Sequence, residues 1–200
     1  MAESRSKRHV VICGPGRAGT SFIMSMLTGL GFDTGFSSTR EMWFNRSRCG
    51  MEFIGDRILD DSMPYYVKRA FYATSGALKG SIDVIDRIVL PVRSVGAIAS
   101  SRKAVEESGV KEGGYHWADN EGRQAVVAER DIGRTAWIGI TNGVPVIVAA
   151  YPRLLLDRRY LHTFLKDVTA TEIDRGVFNV VYDKVFDKDI LNNSYGKGEI

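Results

Sequence analysis

Residues 13–21 read CGPGRAGTS. Gly14 and Gly19 keep the Gly-x-x-x-x-Gly spacing of a loop that cradles phosphate, which in nucleoside triphosphate enzymes is followed by Lys and then Ser or Thr. Here Thr20 stands at the lysine position and Ser21 at the hydroxyl position, and the cation within the loop is Arg17. The flanking sequence gives the motif its setting. His9 to Cys13, HVVIC, is a β-branched run bounded by charge on one side and glycine on the other, the pattern of a buried parallel strand. Thr20 to Leu30 carries Phe22, Ile23, Met26, Leu27 and Leu30 at helical spacing, with Gly29 and Gly31 where the helix should stop. A strand feeding a glycine turn and a helix aims backbone N–H groups and the positive end of a helix dipole at an anion. That arrangement does not require the lysine.

The pattern continues down the chain. Ile88 to Val92, IVLPV, predicts a second buried strand, with Pro91 suggesting an edge or a bulge. SVGAIASSRKAVEE from Ser94 predicts a helix with Val95, Ile98 and Val105 on one side. A helical stretch from about Asp119 to Ile140 leads to a third apolar run, VPVIVAA at 144–150, and Leu154 to Leu165 is helical again by pattern. In the 177–182 segment, Phe178, Val181, Tyr182 and Val185 fall at helical spacing, and Thr171 with Asp174 resembles a helix-start box. Alternating strands and helices of these lengths predict an α/β protein, a three-layer P-loop-type fold with a central parallel sheet flanked by helices. One domain is expected over 9–192, between a flexible N-terminal segment, 1–8, and a C-terminal tail, 193–200. Residues 37–80 are the least strand-like region. They are expected to form a helical insertion over the carboxyl ends of the strands, facing the acceptor, since ligands of open sheets bind there.

Composition narrows the function classes. The chain has 200 residues, 44% hydrophobic and 26% charged, and its net charge of +3 comes from basic residues scattered among acidic ones. Such a distribution permits anionic ligands without the basic stripe of a nucleic-acid binder. The longest apolar run, VPVIVAAY at 144–151, is too short for a membrane span, and the charged start MAESRSKR is unlike a secretory signal. A cytoplasmic protein is expected. Cys13 and Cys49 make neither a disulfide framework nor a zinc site.

The stretch GRAGTS resembles the 5′-phosphosulfate loop of sulfotransferases that use 3′-phosphoadenosine-5′-phosphosulfate (PAPS), written Lys or Arg, small residue, Gly, Thr, Ser or Thr. A second motif of that family is an Arg at a strand's end with a Ser eight residues on, which together hold the 3′-phosphate. RIVLPVRSVGAIASSR supplies Arg93 and Ser101 at that spacing. Arg102 is expected to lie solvated on the helix face. The resemblance implies PAPS as co-substrate, no essential metal, and a cofactor site made of Gly16, Arg17, Ala18, Gly19, Thr20, Ser21, Arg93 and Ser101. VIVAAYPRLLLD at 146–157 is similar to a junction where the family has Tyr-Glu-Asp, which adds Tyr151; Pro152 and Arg153 depart from the acidic pair. Gly196-Lys197-Gly198 is faintly like a basic segment that closes over the 3′-phosphate. The matching segments cover about half the chain.

Sulfuryl transfer needs positioning, a group that stabilises charge on the leaving oxygen, and a base for the acceptor proton. Arg17 suits the second role. STREMWF resembles a Pro-Glu-Glu-aromatic-Phe stretch, which makes Glu41 a candidate base, and the CGMEF stretch offers Glu52. His116 in GGYHWADN is a further candidate. The acceptor is a small molecule, a glycan or a lipid-linked glycan, bearing a hydroxyl or an amine. The alternatives are a small-molecule kinase or nucleotidase and a non-catalytic nucleotide-binding module. A kinase predicts a lysine after the loop and an Asp at a strand end for magnesium; the runs ending at Val92 and Ala150 do not lead into an Asp.

Overall fold

In a computed structural model, residues 8–37, 51, 58–70, 72–73, 75–107 and 120–186 are described. In chain order they form β1 (His9–Gly14), α1 (Thr20–Gly29), β2 (Tyr66–Ala70), α2 (Ala77–Gly80), a 3-10 turn (Ile82–Val84), β3 (Ile85–Val92), α3 (Val95–Glu107), α4 (Glu121–Thr141), β4 (Val146–Ala150), α5 (Arg153–Leu156), α6 (Arg158–Thr169) and α7 (Arg175–Val185). Among the described residues the strands make one parallel sheet in the order β2–β1–β3–β4.

Alternation along each strand divides the core in two. Val10, Ile12, Tyr66, Val89 and Ala149 face one side, where Met24 and Leu27 of α1, Leu161 and Phe164 of α6 and Phe178 of α7 bury them. Val11, Cys13, Val67 and Ile88 face the other, against Leu78 of α2 and Ile138 of α4. α4 comes so close to the sheet that a Cβ on Gly139 would lie 2.4 Å from Val146 Cγ2. Both faces of β1 are thus covered, and all six of its residues are buried, which explains why HVVIC is apolar without alternation. The three-layer α/β architecture is the one the sequence predicts.

The differences from the sequence reading are local and have physical causes. The region 37–80 is not wholly helical: it contains β2, which pairs with β1 from Val10–Tyr66 to Gly14–Ala70. YVKRA carries two cations in a row, which hides its strand character until the sheet buries them. Pro91 marks neither an edge nor a bulge. β3 is an interior strand, and its irregularity sits at the other end, where pairing with β1 shifts between His9 and Val10. Ile88 N donates to Pro145 O on the β4 side. By alternation Pro91 turns its nitrogen toward β1, where the pairing has already ended at Ile12–Val89. The helix expected over 154–165 is two helices, because Asp157 is extended and its carboxylate accepts the Tyr160 N–H to start α6. Asp174 is itself the N-cap of α7, accepting from Val177 N at 2.9 Å, instead of the last residue of a four-residue box begun at Thr171.

Candidate functional site

The carboxyl ends of β1 and β3 carry the loop from Gly14 to Gly19 and the residue Arg93. The loop backbone is unusual. Gly14, Gly16 and Gly19 have φ of 142°, 69° and 91°, and Arg17, which has a side chain to accommodate, has φ 56°. Left-handed backbone at an arginine costs about 1–2 kcal/mol, and such outliers persist where the surroundings over-determine them. The surroundings here are specific. Arg17 Nε donates to Ser101 Oγ of α3 at 3.1 Å, and Arg93 Nη1 donates to the Arg17 carbonyl at 3.3 Å. Arg93 also lies over the Tyr151 ring, 5.0 Å from its centroid. That ring closes the loop from above, since a Cβ on Gly19 would meet Tyr151 Cδ2 at 2.9 Å. Ala18 is fully buried, and Thr20, the first residue of α1, is nearly so.

Arg17, Arg93, Ser101, Gly19 and Tyr151 are therefore brought together although they are spread along the sequence from Arg17 to Tyr151. Arg17 turns toward α3 and the Arg93–Ser101 pair. Arg102 departs from expectation: it is completely buried, not solvated, and its Nη2 donates to the Pro15 carbonyl at the start of the loop. A buried guanidinium that holds a backbone carbonyl fixes the loop's entry as Arg93 fixes its middle.

Sequence reading missed one residue of the site. Lys68 of β2 is 1% exposed and its Nζ donates to Ser21 Oγ at 2.9 Å. Its Cα pairs with Ile12 across the sheet, and it shares the face of Val10 and Ile12 that packs on α1. The ammonium therefore reaches the first turn of α1, beside the loop whose own lysine position holds Thr20. The available signal was the odd placement of Lys-Arg inside YYVKRA, an apolar run that burial would make costly for a charge without a purpose. The neighbouring Arg69 faces the opposite side, its Cα paired with Cys13 and its guanidinium 5.1 Å from the Tyr72 ring centroid.

Cys13 itself is buried, and burial followed by the negative charge of Asp131 pushes its thiol far above the ordinary range. A thiol held protonated in this way is neither a nucleophile nor a metal ligand. Among the described residues no group of three or more His, Cys, Asp or Glu is placed to hold a metal ion, and no helix is long and apolar enough to cross a membrane. Glu41, Glu52, His116, Cys49 and the Gly196–Gly198 segment lie outside the described residues.

No family model and no curated protein matches the chain. Among solved structures, it is similar to the sulfotransferase domain of the olefin synthase from Synechococcus PCC 7002, over 96% of this chain and 86% of that chain, with a TM-score of 0.53 and 14% sequence identity. The fold is similar to that of this sulfotransferase domain. At this identity the likeness concerns architecture alone, which in this chain is a parallel sheet with helices on both faces.

Proposed function

We propose that the protein transfers a sulfuryl group from PAPS to a hydroxyl or amine of a small-molecule, glycan or lipid-linked acceptor. The observation that carries this reading is the convergence of Arg17, Arg93 and Ser101 at one end of the sheet, linked by hydrogen bonds of 3.1 and 3.3 Å. In this reading Arg93 and Ser101 hold the 3′-phosphate that distinguishes PAPS from common adenine nucleotides. The loop N–H groups of Gly16 to Ser21 and the start of α1 hold the 5′-phosphosulfate, and Tyr151 packs along the nucleotide side of the loop.

The chemistry is an in-line displacement at sulfur. The acceptor oxygen or nitrogen attacks, the bond between sulfur and the 5′-phosphate oxygen breaks, and adenosine 3′,5′-bisphosphate leaves with the electron pair. Charge grows on that leaving oxygen, so cations fixed beside it stabilise the transition state more than the ground state. Arg17 and Lys68 are the groups proposed for this role. Lys68 takes the part of the lysine that the loop omits, entering from the neighbouring strand. The acceptor proton passes to a carboxylate, Glu41 or Glu52.

The position of Lys68 also favours sulfuryl over phosphoryl transfer. In magnesium-dependent P-loop enzymes the hydroxyl after the lysine holds the metal. Here the equivalent hydroxyl, Ser21 Oγ, already accepts from an ammonium at 2.9 Å, and a divalent cation at that oxygen would meet a like charge.

Thermal shift measurements with adenosine 3′,5′-bisphosphate, ADP and ATP with magnesium test the reading. The bisphosphate should stabilise most, and stabilisation by ATP with magnesium alone would overturn the assignment. Arg93→Ala should weaken the bisphosphate by roughly 10- to 100-fold, the worth of one charge-assisted hydrogen bond, and should weaken ADP far less. Transfer of labelled sulfate from PAPS to a panel of phenols, sugars and amines then identifies the acceptor class.

A further inference from the structure

The entry of the loop is a proline followed by a glycine, Pro15 and Gly16. Proline accepts ψ in both the helical and the polyproline range, and glycine accepts φ of either sign. The peptide unit between them can therefore turn over with little steric resistance, which exchanges the directions of its C=O and its N–H. The exchange matters because a planar trans peptide points the two groups in opposite directions. One orientation offers the Gly16 N–H to an anion seated in the loop. The other turns the Pro15 carbonyl oxygen toward the anion, which repels it.

One of the two orientations is held here. The Pro15–Gly16 bond is trans and Gly16 has φ 69°. Arg102, fully buried on α3, donates from Nη2 to the Pro15 carbonyl. The carbonyl is drawn toward Arg102, so the Gly16 N–H points away from it. Two residues on, Arg93 Nη1 donates to the Arg17 carbonyl at 3.3 Å, which orients the Ala18 N–H in the same manner. Alternate peptide units of the loop are thus pinned through their carbonyls by guanidinium groups. Ser101, next to Arg102 on α3, accepts from Arg17 Nε at 3.1 Å, so adjacent residues of one helix grip the loop at its entry and its middle. A hydrogen bond from a charged donor biases an equilibrium between two orientations by roughly 10- to 100-fold.

We propose that Arg102 is a positioning residue: from α3 it selects the orientation of the Pro15–Gly16 peptide in which the Gly16 N–H faces the anion bound in the loop. The guanidinium acts through that peptide and touches no ligand. The identity of the anion as a 5′-phosphosulfate rests on the sulfuryl-transfer reading, and the clamp does not. Three nucleotides distinguish the clamp from a general loosening of the fold. Arg102→Met should weaken adenosine 5′-monophosphate and adenosine 3′,5′-bisphosphate by a common factor of about 10, the worth of one hydrogen bond to a charged group, and leave adenosine 3′-monophosphate within about 2-fold. Arg102→Lys, which keeps a charged donor on a long stem, should recover most of the loss. In the ligand-free wild type, nitrogen-15 relaxation should give the Gly16 N–H an order parameter near 0.85, as in rigid backbone, and the value should fall below about 0.6 in Arg102→Met. A wild-type value already below about 0.6 overturns the proposal, and this measurement stands even if Arg102→Met does not fold. An equal loss for all three nucleotides overturns it too, as does a lysine variant no better than the methionine one. If the wild type binds none of the nucleotides, the sulfuryl-transfer reading fails, and the Gly16 order parameters still decide the clamp.

Discussion

The two ends of the sheet handle charge in opposite ways. At the amino ends, opposite charges meet near solvent: Arg8 lies 3.5 Å from Asp86, and the Tyr65 hydroxyl donates to the same carboxylate at 2.7 Å. At the carboxyl ends, Lys68, Arg93 and Arg102 are 1%, 8% and 0% exposed. Hydrogen bonds from them reach a serine hydroxyl and loop carbonyls. Burying a cation is expensive in desolvation, and neutral acceptors return only part of that cost. In the reading proposed above, an anionic ligand offsets that cost. In that reading the contrast separates charge used for local stability from charge gathered for an anion.

Removing one cation from each end tests that separation most strongly. Lys68→Ala should lower sulfuryl transfer by about 100- to 1,000-fold, the usual effect of deleting one preorganised donor to developing charge. Lys68→Arg should restore little, since the buried space beside Ser21 fits an ammonium on a slender stem. Arg8→Ala at the amino end should leave the rate unchanged and shift stability by less than about 1 kcal/mol, as exposed ion pairs do. Equal losses of activity from the two would erase the distinction. A smaller effect is expected from Gly19→Ala. The left-handed backbone, φ 91°, and the Tyr151 ring 2.9 Å from the new methyl should together lower stability by roughly 1–3 kcal/mol. The bisphosphate should bind more weakly in parallel, because the ring that braces Arg93 is displaced. Unchanged affinity would show that Tyr151 does not act through Arg93.

The smallest effect lies at the amino end. Burial, then the hydrogen bond and charge of Asp86, push the Tyr65 phenol up to about 12. An unfolded tyrosine loses its proton near 10, so between these values the folded chain binds more protons than the unfolded one. Its contribution to stability is complete below about pH 10 and is lost as pH rises toward about 12. Denaturant midpoints across that window should fall with pH, and Tyr65→Phe should reduce the slope. Part of the slope should survive, because Tyr66, Tyr72 and Tyr182 are also raised by burial.

Much of this was legible in the residues. HVVIC, the glycine spacing and the Phe22–Leu30 periodicity specify a strand, a loop and a helix through local rules of sterics and burial. Arg93 and Ser101 were visible through the resemblance to a family motif, an Arg at a strand's end with a Ser eight residues on. Lys68 and β2 were not. A strand holding two adjacent cations looks like surface until a neighbour buries both sides, and the neighbour, β1, begins more than fifty residues earlier. The burial of Arg102 was equally hidden, since a helix pattern reports spacing and not which helix will cover it.

Local sequence specifies the layer architecture, the loop that ends β1 and the place of Arg17 within it, since each follows from neighbours a few residues apart. The convergence of the cations is a tertiary matter. Lys68 reaches Ser21 because β2 lies parallel to β1, and Arg17 reaches Ser101 because α3 returns alongside the loop. Those contacts depend on strand order and crossover direction, which sum the burial of the whole core and are written in no single stretch of chain.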